Sequence, residues 1–271
     1  MLFLVATPIG NLEDISFRAI NTLKNCDYIL CEDTRHSKPL LKHFEIQTPV
    51  KSYHKFNEAQ QEISILRDLN AGKNIAILSD AGTPGIADPG ERLVQKCISE
   101  KIPLTAIPGP CSVIQALVCS GFNTQPFQFL GFAPKKEKER KQFLQKLLEY
   151  EGSSICFETP QRIKKTLTIL EELDAQAEVS LAREMTKKFE EFLRGTPTEV
   201  KDLLKILKGE IVLVIRGKGL KPAPHWNTLS ILEHVKLVQK QQNISQKEAI
   251  KLIALERGIP KKEVYRATLH F

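Results

Sequence analysis

The sequence predicts an α/β protein made of two α/β domains and a small helical tail. In the first 120 residues, apolar runs, polar or glycine-rich loops and amphipathic stretches alternate four or five times. This alternation is typical of a parallel sheet covered by helices on both faces. It begins again near residue 127 with strands of more alternating polarity, so a mixed sheet is expected there. A Gly/Lys/Pro linker at 217–224 precedes three helical segments. The expected domains are residues 1–121, 122–218 and 225–271.

Short apolar runs define the expected strands of the first domain, and helical spacing of apolar residues defines its helices. The strands are Leu2–Ala6, Tyr28–Cys31, Val50–Tyr53, Ile75–Leu78 and Leu104–Ile107. The helices are Asp14–Lys24, Pro39–Phe44, Asn57–Asn70, Gly90–Glu100 and one that begins near Val113.

The same patterns continue in the second domain and the tail. The expected strands are Phe127–Phe132, Ser154–Phe157, Glu178–Ala182, an extended Phe189–Arg194 and Glu210–Ile215. The expected helices are Lys135–Tyr150, Arg162–Leu173 and Thr198–Lys205, then Leu229–Gln241, Gln246–Arg257 and Lys261–Leu269 in the tail. The last two, joined by a turn at Gly258, resemble a helix-turn-helix unit. From residue 221 onward the sequence has nine Lys/Arg and four Glu, which fits either a nucleic-acid contact or a plain packing or dimerisation tail.

Composition narrows the class of protein. The net charge of +7 permits an anionic partner such as nucleic acid, although a merely solvated basic surface would also explain it. The six cysteines form no Cys-x-x-Cys pair and no cluster with histidines at zinc-ligand spacing, so we expect no metal site and no disulfide framework. The N-terminal apolar run has six residues and no basic region before it, unlike a signal peptide. We expect a cytoplasmic protein without a membrane span.

Two Gly/Pro loops follow strands at the sheet edge where parallel α/β proteins bind ligands. Thr7–Gly10 comes after the first strand, and Gly10 allows a tight turn that could hold a cofactor or simply connect strand to helix. Ser79–Gly90 carries three glycines and two prolines, a rigid backbone suited to a small polar ligand or to a structural elbow. Neither loop matches the phosphate-binding G-x-x-x-x-G-K-[ST] pattern or the dinucleotide-binding G-x-G-x-x-G pattern.

Two further strand ends carry polar groups. Pro108–Val113 opens a helix, and Ser112 could cap that helix or bind a ligand carboxylate at its N-terminus. The string Glu32–His36 combines two acids, an arginine and an imidazole, as catalytic loops and ordinary exposed loops both do. The basic segment Lys135–Arg140 is either a solvated helix start or a phosphate contact.

Five of these strings occur together in one known family. "VATPIGNLEDISFRA", "CEDTRHS", "LSDAGTPGIADPG", "IPGPCSVIQAL" and "FLGFAPKK" resemble, in order and spacing, the ribosomal RNA small subunit methyltransferase I family. That family is a branch of the tetrapyrrole-methylase-like class III methyltransferases. The resemblance implies S-adenosylmethionine in a cleft between two α/β domains, and a homodimer. It also implies methylation of the ribose 2′-hydroxyl of the decoding-region cytidine at position 1402 of 16S rRNA, in the assembled small subunit.

The resemblance also implies which residues contact the cofactor. They lie in the two Gly/Pro loops, at the start of the helix that begins near Val113 and, by a weaker match, at the end of the strand Ser154–Phe157. They are Pro8, Ile9, Gly10, Asp80, Gly82, Thr83, Pro84, Ile86, Ser112, Val113, Phe157 and Thr159. Thr83 stands where the broader family has Asp, so its contact differs from the family pattern.

A ribose hydroxyl is a poor nucleophile, which suggests help from a base or a charged hydrogen-bond partner. The candidates are Asp33 or Glu32 as proton acceptor, with Arg35 or His36 positioning phosphate or ribose. Two alternatives stay open on the same fold. One is a tetrapyrrole (precorrin-type) C-methyltransferase, and the other is a ribosome-binding factor without catalysis.

Overall fold

The computed structural model describes residues 1–219, 229–242 and 244–269. Residues 1–219 form one compact unit, and the described residues from 229 onward belong to a second unit. The expected linker at 217–224 lies outside the described residues from position 220 on, as do tail positions 225–228, 243 and 270–271. The expected boundary near residue 121, within the first unit, stays a prediction.

The first unit begins with a sheet of five parallel strands. They are β1 (Leu2–Val5), β2 (Tyr28–Cys31), β3 (Val50–Ser52), β4 (Ile75–Leu78) and β5 (Leu104–Ile107), in the spatial order β3-β2-β4-β1-β5. The connecting helices are α1 (Phe17–Asn25), α2 (Thr34–His43), α3 (Glu58–Asn70) and α4 (Glu91–Ser99). Because β1 and β4 are direct neighbours, the two Gly/Pro loops that follow them meet at one sheet edge.

Alternate residues of β1, β2 and β4 pack into different cores, which explains their continuous apolar runs. On β4, Ile75 and Ile77 join one buried cluster with α3 and α4 residues such as Leu69 and Leu93. Ala76 and Leu78 join the opposite cluster with α1 and α2 residues such as Leu23 and Leu41. Helices therefore cover both faces of the first sheet, as the alternation predicts.

The starts of two helices differ from the expected ones, because each helix begins directly after its N-cap residue. The first expected helix, Asp14–Lys24, is split: a short 3-10 turn covers Leu12–Asp14, and α1 starts after Ser16, whose hydroxyl accepts a hydrogen bond from Ala19 N at 3.1 Å. The second, α2, begins at Thr34 and not at Pro39, because the Asp33 carboxylate accepts a hydrogen bond from Arg35 N at 2.8 Å. Part of the expected Glu32–His36 loop is thus the first turn of a helix.

The second half of this unit forms a mixed sheet, as the sequence predicts. Its strands are β6 (Phe127–Phe132), β7 (Ser153–Glu158), β8 (Val179–Arg183), β9 (Glu191–Gly195) and β10 (Ile211–Arg216), in the order β6-β7-β10-β8-β9. Only the β6–β7 pair among these is parallel. Its helices are α6 (Glu137–Glu149), α7 (Pro160–Leu173) and α8 (Pro197–Leu203).

Helix α5 (Ser112–Ser120) follows the first sheet but packs on the second. Its Val113, Ala116 and Leu117 share a buried cluster with the alternate residues Val212 and Val214 of β10. Ile9, from the loop after β1, belongs to the same cluster. This apolar contact brings the edge of the first sheet against one face of the second.

The described residues of the second unit form three helices with a core of their own. They are α9 (Ile231–Gln242), α10 (Gln246–Arg257) and α11 (Lys261–Leu269). Ser245 and Glu248 form a capping box, and Gly258 ends α10 with a left-handed φ of 64°. The buried apolar residues of this core are Val235, Val238, Ala249, Ile250, Ile253, Ala254 and Val264. Among the described residues, no helix is long and apolar enough to cross a membrane, and no acidic, His and Cys side chains group as metal ligands do.

Candidate active site

The loops after β1 and β4 are joined into one rigid platform. Thr7 N donates to Gly82 O at 2.8 Å, and Gly82 N donates back to Thr7 O at 3.1 Å. The Ser79 hydroxyl donates to Gly82 O at 2.9 Å, and the Thr7 hydroxyl donates to Ser79 O at 3.3 Å. Gly82 adopts φ +84°, a left-handed conformation that favours glycine. The two loops named from the sequence thus share a single backbone frame.

The loop between β5 and α5 closes this platform. The Thr83 hydroxyl donates to Pro110 O at 3.2 Å. Gly109 passes so near Ala6 that an added Cβ would lie 3.0 Å from the Ala6 Cβ. Ser112 is the first residue of α5, and the cap position belongs to Cys111, so the expected capping by Ser112 is wrong. Its hydroxyl is therefore not used as a cap.

A cavity of about 330 Å³ lies between this platform and the ends of the second sheet. Ligand sites of drug-sized molecules start near this volume. Its described walls come from four segments of the first sheet's edge and four of the second. The lining residues are Ile9, Asp80–Thr83, Ile86–Asp88, Cys111–Val113, Phe132, Phe157–Pro160, Met185 and Gly209–Val212.

Most of the cofactor residues expected from the sequence line this one cavity. They are Ile9, Asp80, Gly82, Thr83, Ile86, Ser112, Val113, Phe157 and Thr159. Pro8, Gly10 and Pro84 do not line it. Gly10 instead packs against the β8–β9 loop, where an added Cβ would lie 2.8 Å from Thr186 Oγ1.

The four expected catalytic residues do not line the cavity. Asp33 caps α2 and forms an ion pair with Arg35 at 2.7 Å, and the Arg35 hydrogen bonds hold the pKa of the Asp33 carboxyl well below its usual range. His36 Nδ1 lies 3.3 Å from Asp80 Oδ2, and Asp33 N donates to Asp80 Oδ1 at 3.3 Å. Asp80 therefore connects this string to the cavity. Glu32 lies close enough to Asp88, another lining residue, for its negative charge to raise the pKa of the Asp88 carboxyl.

The described residues of the cavity wall include four carboxylates, three of which were not expected from the sequence: Asp88, Glu158 and Glu210. Glu158 is buried, with an ion pair to Arg162 at 2.7 Å and a hydrogen bond from the Thr166 hydroxyl at 2.6 Å. Glu210 accepts from Lys187 Nζ at 2.8 Å. Glu158 ends a buried strand, which was a usable signal in the sequence, whereas the position of Glu210 depends on how β8 and β10 pair.

Asp88 has a different environment from the other three. Burial raises the pKa of its carboxyl to about 6, with further upward contributions from the negative charges of Glu32 and Asp80 and an opposing one from Lys55. No hydrogen bond or ion pair joins its carboxylate to another residue in the described part of the chain. The preceding Ala87, also in the cavity wall, has a left-handed φ of 65°.

A strained segment forms the wall opposite the platform. Glu184 and Thr186 flank Met185 and both have left-handed φ values, 52° and 66°. Such a conformation is uncommon for a β-branched residue and marks a functional or packing constraint. Lys187 Nζ ties Glu184 to Glu210 with bonds of 2.9 and 2.8 Å, which holds Met185 in the cavity wall.

Fold and site together define the class of protein. The family model described as Tetrapyrrole (Corrin/Porphyrin) Methylases matches residues 1–201, the part of the chain that builds most of the cavity. A crystal structure of uroporphyrin-III-C-methyltransferase from Thermus thermophilus superposes with a TM-score of 0.56. It covers 80% of this chain and 94% of that chain at 17% identity, a level that establishes the fold alone.

Closer relatives define the branch. "Ribosomal RNA small subunit methyltransferase I" of Halalkalibacterium halodurans is 44% identical over 269 residues, which are 97% of this chain and 93% of that protein. The protein of the same name from Bacillus subtilis is 42% identical over 273 residues, covering 98% and 93%. The chain belongs to the ribosomal RNA small subunit methyltransferase I family, a group of enzymes with the tetrapyrrole methylase fold.

Proposed function

We propose that this enzyme transfers a methyl group from S-adenosylmethionine to the 2′-hydroxyl of a ribose in 16S rRNA. The expected target is the decoding-region cytidine at position 1402 in the assembled small subunit. The observation that carries the proposal is the near full-length match to ribosomal RNA methyltransferases, combined with a cavity built from the matching motifs.

The cavity fits S-adenosylmethionine in its chemistry. Apolar side chains such as Ile9, Val113 and Met185 offer a surface for an adenine ring. The carboxylate of Asp80 suits a molecule that carries a sulfonium and an ammonium charge. Backbone groups of the joined loops, around Gly82 and Thr83, would supply fixed hydrogen-bonding partners. When bound, this cofactor supplies the methyl group and a good leaving group.

The protein's own contribution is then mainly alignment and exclusion of water. The platform loops and the strained 184–186 segment are held from both sides by hydrogen bonds, so the cavity walls are set before any ligand binds. Preorganised walls lower the entropy lost on binding.

An exposed basic groove beside the cavity suits an RNA backbone. Arg35, Lys38 and Lys42 lie on one side of α2 and line a shallow groove that runs to Thr48 and Val50. Phosphate contacts by such side chains provide most of the salt-dependent affinity for nucleic acid. We infer that RNA lies along this groove, with Arg35 and His36 positioning phosphate or ribose near Asp80.

A nearby aromatic side chain adds to this inference. Phe56, just beyond β3, is 98% exposed. It follows Lys55, which lies close enough to Asp88 for its positive charge to lower the pKa of the Asp88 carboxyl. Exposed aromatic rings beside basic groups are typical stacking surfaces for unpaired bases. A small tetrapyrrole substrate would not explain this combination of groove and ring.

We also propose that the enzyme is a cytoplasmic homodimer. Ile114 and Val118 lie one turn apart on α5 with 44% and 61% of their surface exposed, and Phe127 and Phe132 are exposed on the edge strand β6. Exposed apolar side chains of this size favour an interface. Light scattering on the purified protein tests the expected dimer mass.

The direct test uses labelled S-adenosylmethionine with small ribosomal subunits from cells that lack this protein. We expect label in 16S rRNA, mapped as a 2′-O-methyl group on one cytidine, and none in a precorrin offered in parallel. Transfer to the precorrin instead would support the tetrapyrrole alternative. Binding of S-adenosylmethionine without any transfer would support a non-catalytic ribosome-binding factor.

A further inference from the structure

Three of the four carboxylates in the cavity are already bonded to other groups of the protein. Asp80 accepts from Asp33 N and contacts His36, both at 3.3 Å. Glu158 receives bonds from Thr159 N, Arg162 and Thr166 at 2.7, 2.7 and 2.6 Å. Glu210 is bonded to Lys187 at 2.8 Å. The lone pairs of a carboxylate held in this way are partly occupied by these donors, so fewer of them are available to a substrate hydroxyl.

Asp88 is the exception within the described residues. It lines the cavity, it is half-buried, and its carboxylate has no hydrogen bond or ion pair with another described residue. The rigid Gly/Pro loop fixes its position, since Pro89 and Gly90 follow it directly and Gly90 packs against Ile77, where an added Cβ would lie 3.1 Å from Cδ1. A free carboxylate on a rigid loop inside a cavity is what a general base requires.

We propose that Asp88 is the general base that accepts the proton of the ribose 2′-hydroxyl. This inference rests on the methyl transfer proposed above. The 2′-oxygen forms a bond to the methyl carbon while the bond between that carbon and sulfur breaks, and the electron pair of the broken bond stays on sulfur. The hydroxyl proton passes to the Asp88 carboxylate, which later releases it to water.

The environment of Asp88 supports this role. A base works best when its pKa lies close to the working pH without exceeding it. The pKa of Asp88 is raised to about 6 by burial, and the charged groups that face it are Glu32, Asp80 and Lys55. His36 lies one contact further away, beside Asp80. The carboxylate is therefore ionised at neutral pH yet more basic than an ordinary aspartate.

The test measures single-turnover methyl transfer to undermethylated small subunits from pH 5 to pH 8, with S-adenosylmethionine saturating. The wild-type rate should rise with pH, reach half of its maximum near pH 6 and level off above about pH 7. In Asp88→Asn we expect a loss of about 100-fold or more and no such rise, because general base catalysis contributes about 10²–10⁴. Asp88→Glu, which keeps a carboxylate, should recover part of the rate and the pH dependence. The surface variant Asp202→Asn should match the wild type.

Calorimetry of S-adenosylmethionine binding separates the base from a cofactor contact. We expect Asp88→Asn to bind the cofactor within threefold of the wild type. A wild-type pH profile in Asp88→Asn would overturn the inference. So would removal of the pH dependence by Asp33→Asn or Glu32→Gln but not by Asp88→Asn, or a loss of affinity as large as the loss of rate. No transfer by the wild-type enzyme would instead contradict the proposed function itself.

Discussion

Replacing Gly10 by alanine tests whether the two walls of the cavity are in close contact at the loop after β1 and the β8–β9 loop. Gly10 has no left-handed φ, so the substitution changes only a contact and not the backbone conformation. The added Cβ would lie 2.8 Å from Thr186 Oγ1 and 3.1 Å from Lys187 Cε, with Lys187 Cγ closer still. Since ordinary carbon contacts begin near 3.4 Å, these side chains or the backbone must move.

The size of the effect follows from what can move. Lys187 can swing away only by losing its bonds to Glu184 and Glu210, at 2.9 and 2.8 Å. Each such partly exposed ion pair is worth about 0.5 kcal/mol, so this route costs about 1 kcal/mol. Thr186 is β-branched and already left-handed, so moving it shifts the backbone and brings the cost nearer to ~3 kcal/mol, the upper range for overpacking. We expect Gly10→Ala to lose about 1–3 kcal/mol of unfolding free energy.

Urea unfolding of Gly10→Ala, Lys187→Ala and the double variant measures this contact. We expect Gly10→Ala to be less destabilising by about 1 kcal/mol when Lys187 is absent, a coupling typical of touching residues. We also expect S-adenosylmethionine to bind Gly10→Ala several-fold more weakly, because Ile9 beside it lines the cavity. Gly121→Ala is the control: its φ is +81° with no atom within 4 Å of an added Cβ, so only backbone strain of about 1–2 kcal/mol is expected. Equal destabilisation by Gly10→Ala in both backgrounds would refute the reasoning.

Three other variants test the electrostatics and the groove. The raised pKa of Asp88, from 3.8 to about 6, means that the folded state loses stability as pH rises from about 4 to 6. Asp88→Asn should therefore stabilise the ligand-free protein at pH 7 by about 1–2 kcal/mol, after the full ~3 kcal/mol is reduced for solvent exposure, and by little at pH 3. Thr166→Val should lose about 2–3 kcal/mol in urea unfolding, because it removes a 2.6 Å hydrogen bond to the buried Glu158 carboxylate. Lys38→Gln with Lys42→Gln should weaken RNA binding and lower the slope of log affinity against log salt by about 1.5–2.

Each of these variants has a matched control. Asp202→Asn should leave the pH dependence of stability unchanged, because that carboxylate is exposed on α8. Thr168→Val lies on the same helix as Thr166, but its hydroxyl is exposed and donates to Lys164 O, so we expect less than about 0.5 kcal/mol. Lys146→Gln with Lys165→Gln removes two exposed charges outside the groove and should keep the salt slope. If the unfolding free energy of Asp88→Asn equals that of the wild type at every pH, this result would contradict the raised pKa of Asp88.

Much of the fold could be read from local patterns. Buried strands appear as apolar runs, and helices appear through the spacing of their apolar residues, because each pattern depends on residues close in the chain. The start of α2 was missed for a local reason too. An Asp followed by Thr was a usable cap signal, and the cap at Asp33 moves the helix start from the expected Pro39 to Thr34.

The edge of the sheet that holds the site was also predictable, since loops after parallel strands share one edge. The sequence did not predict which of these loops contact each other. Thr7 and Gly82 are far apart in sequence, and their pairing depends on β1 lying between β4 and β5. The second wall, with Met185 and Glu210, depends on strand pairing in another sheet.

The chain's sequence by itself determined the class of fold, the loops at the ligand edge and the exclusion of the common phosphate motifs. Only the tertiary structure decided which of these carboxylates are already bonded. The carboxylate of Asp33, expected to be catalytic from the string Glu32–His36, is held by Arg35, and its catalytic role stays a prediction. Asp88, one residue of the Ser79–Gly90 loop, lines the cavity without a hydrogen bond or ion pair to another described residue. The physical reason is that the basicity of a carboxylate depends on its donors and its burial, and distant parts of the chain supply both.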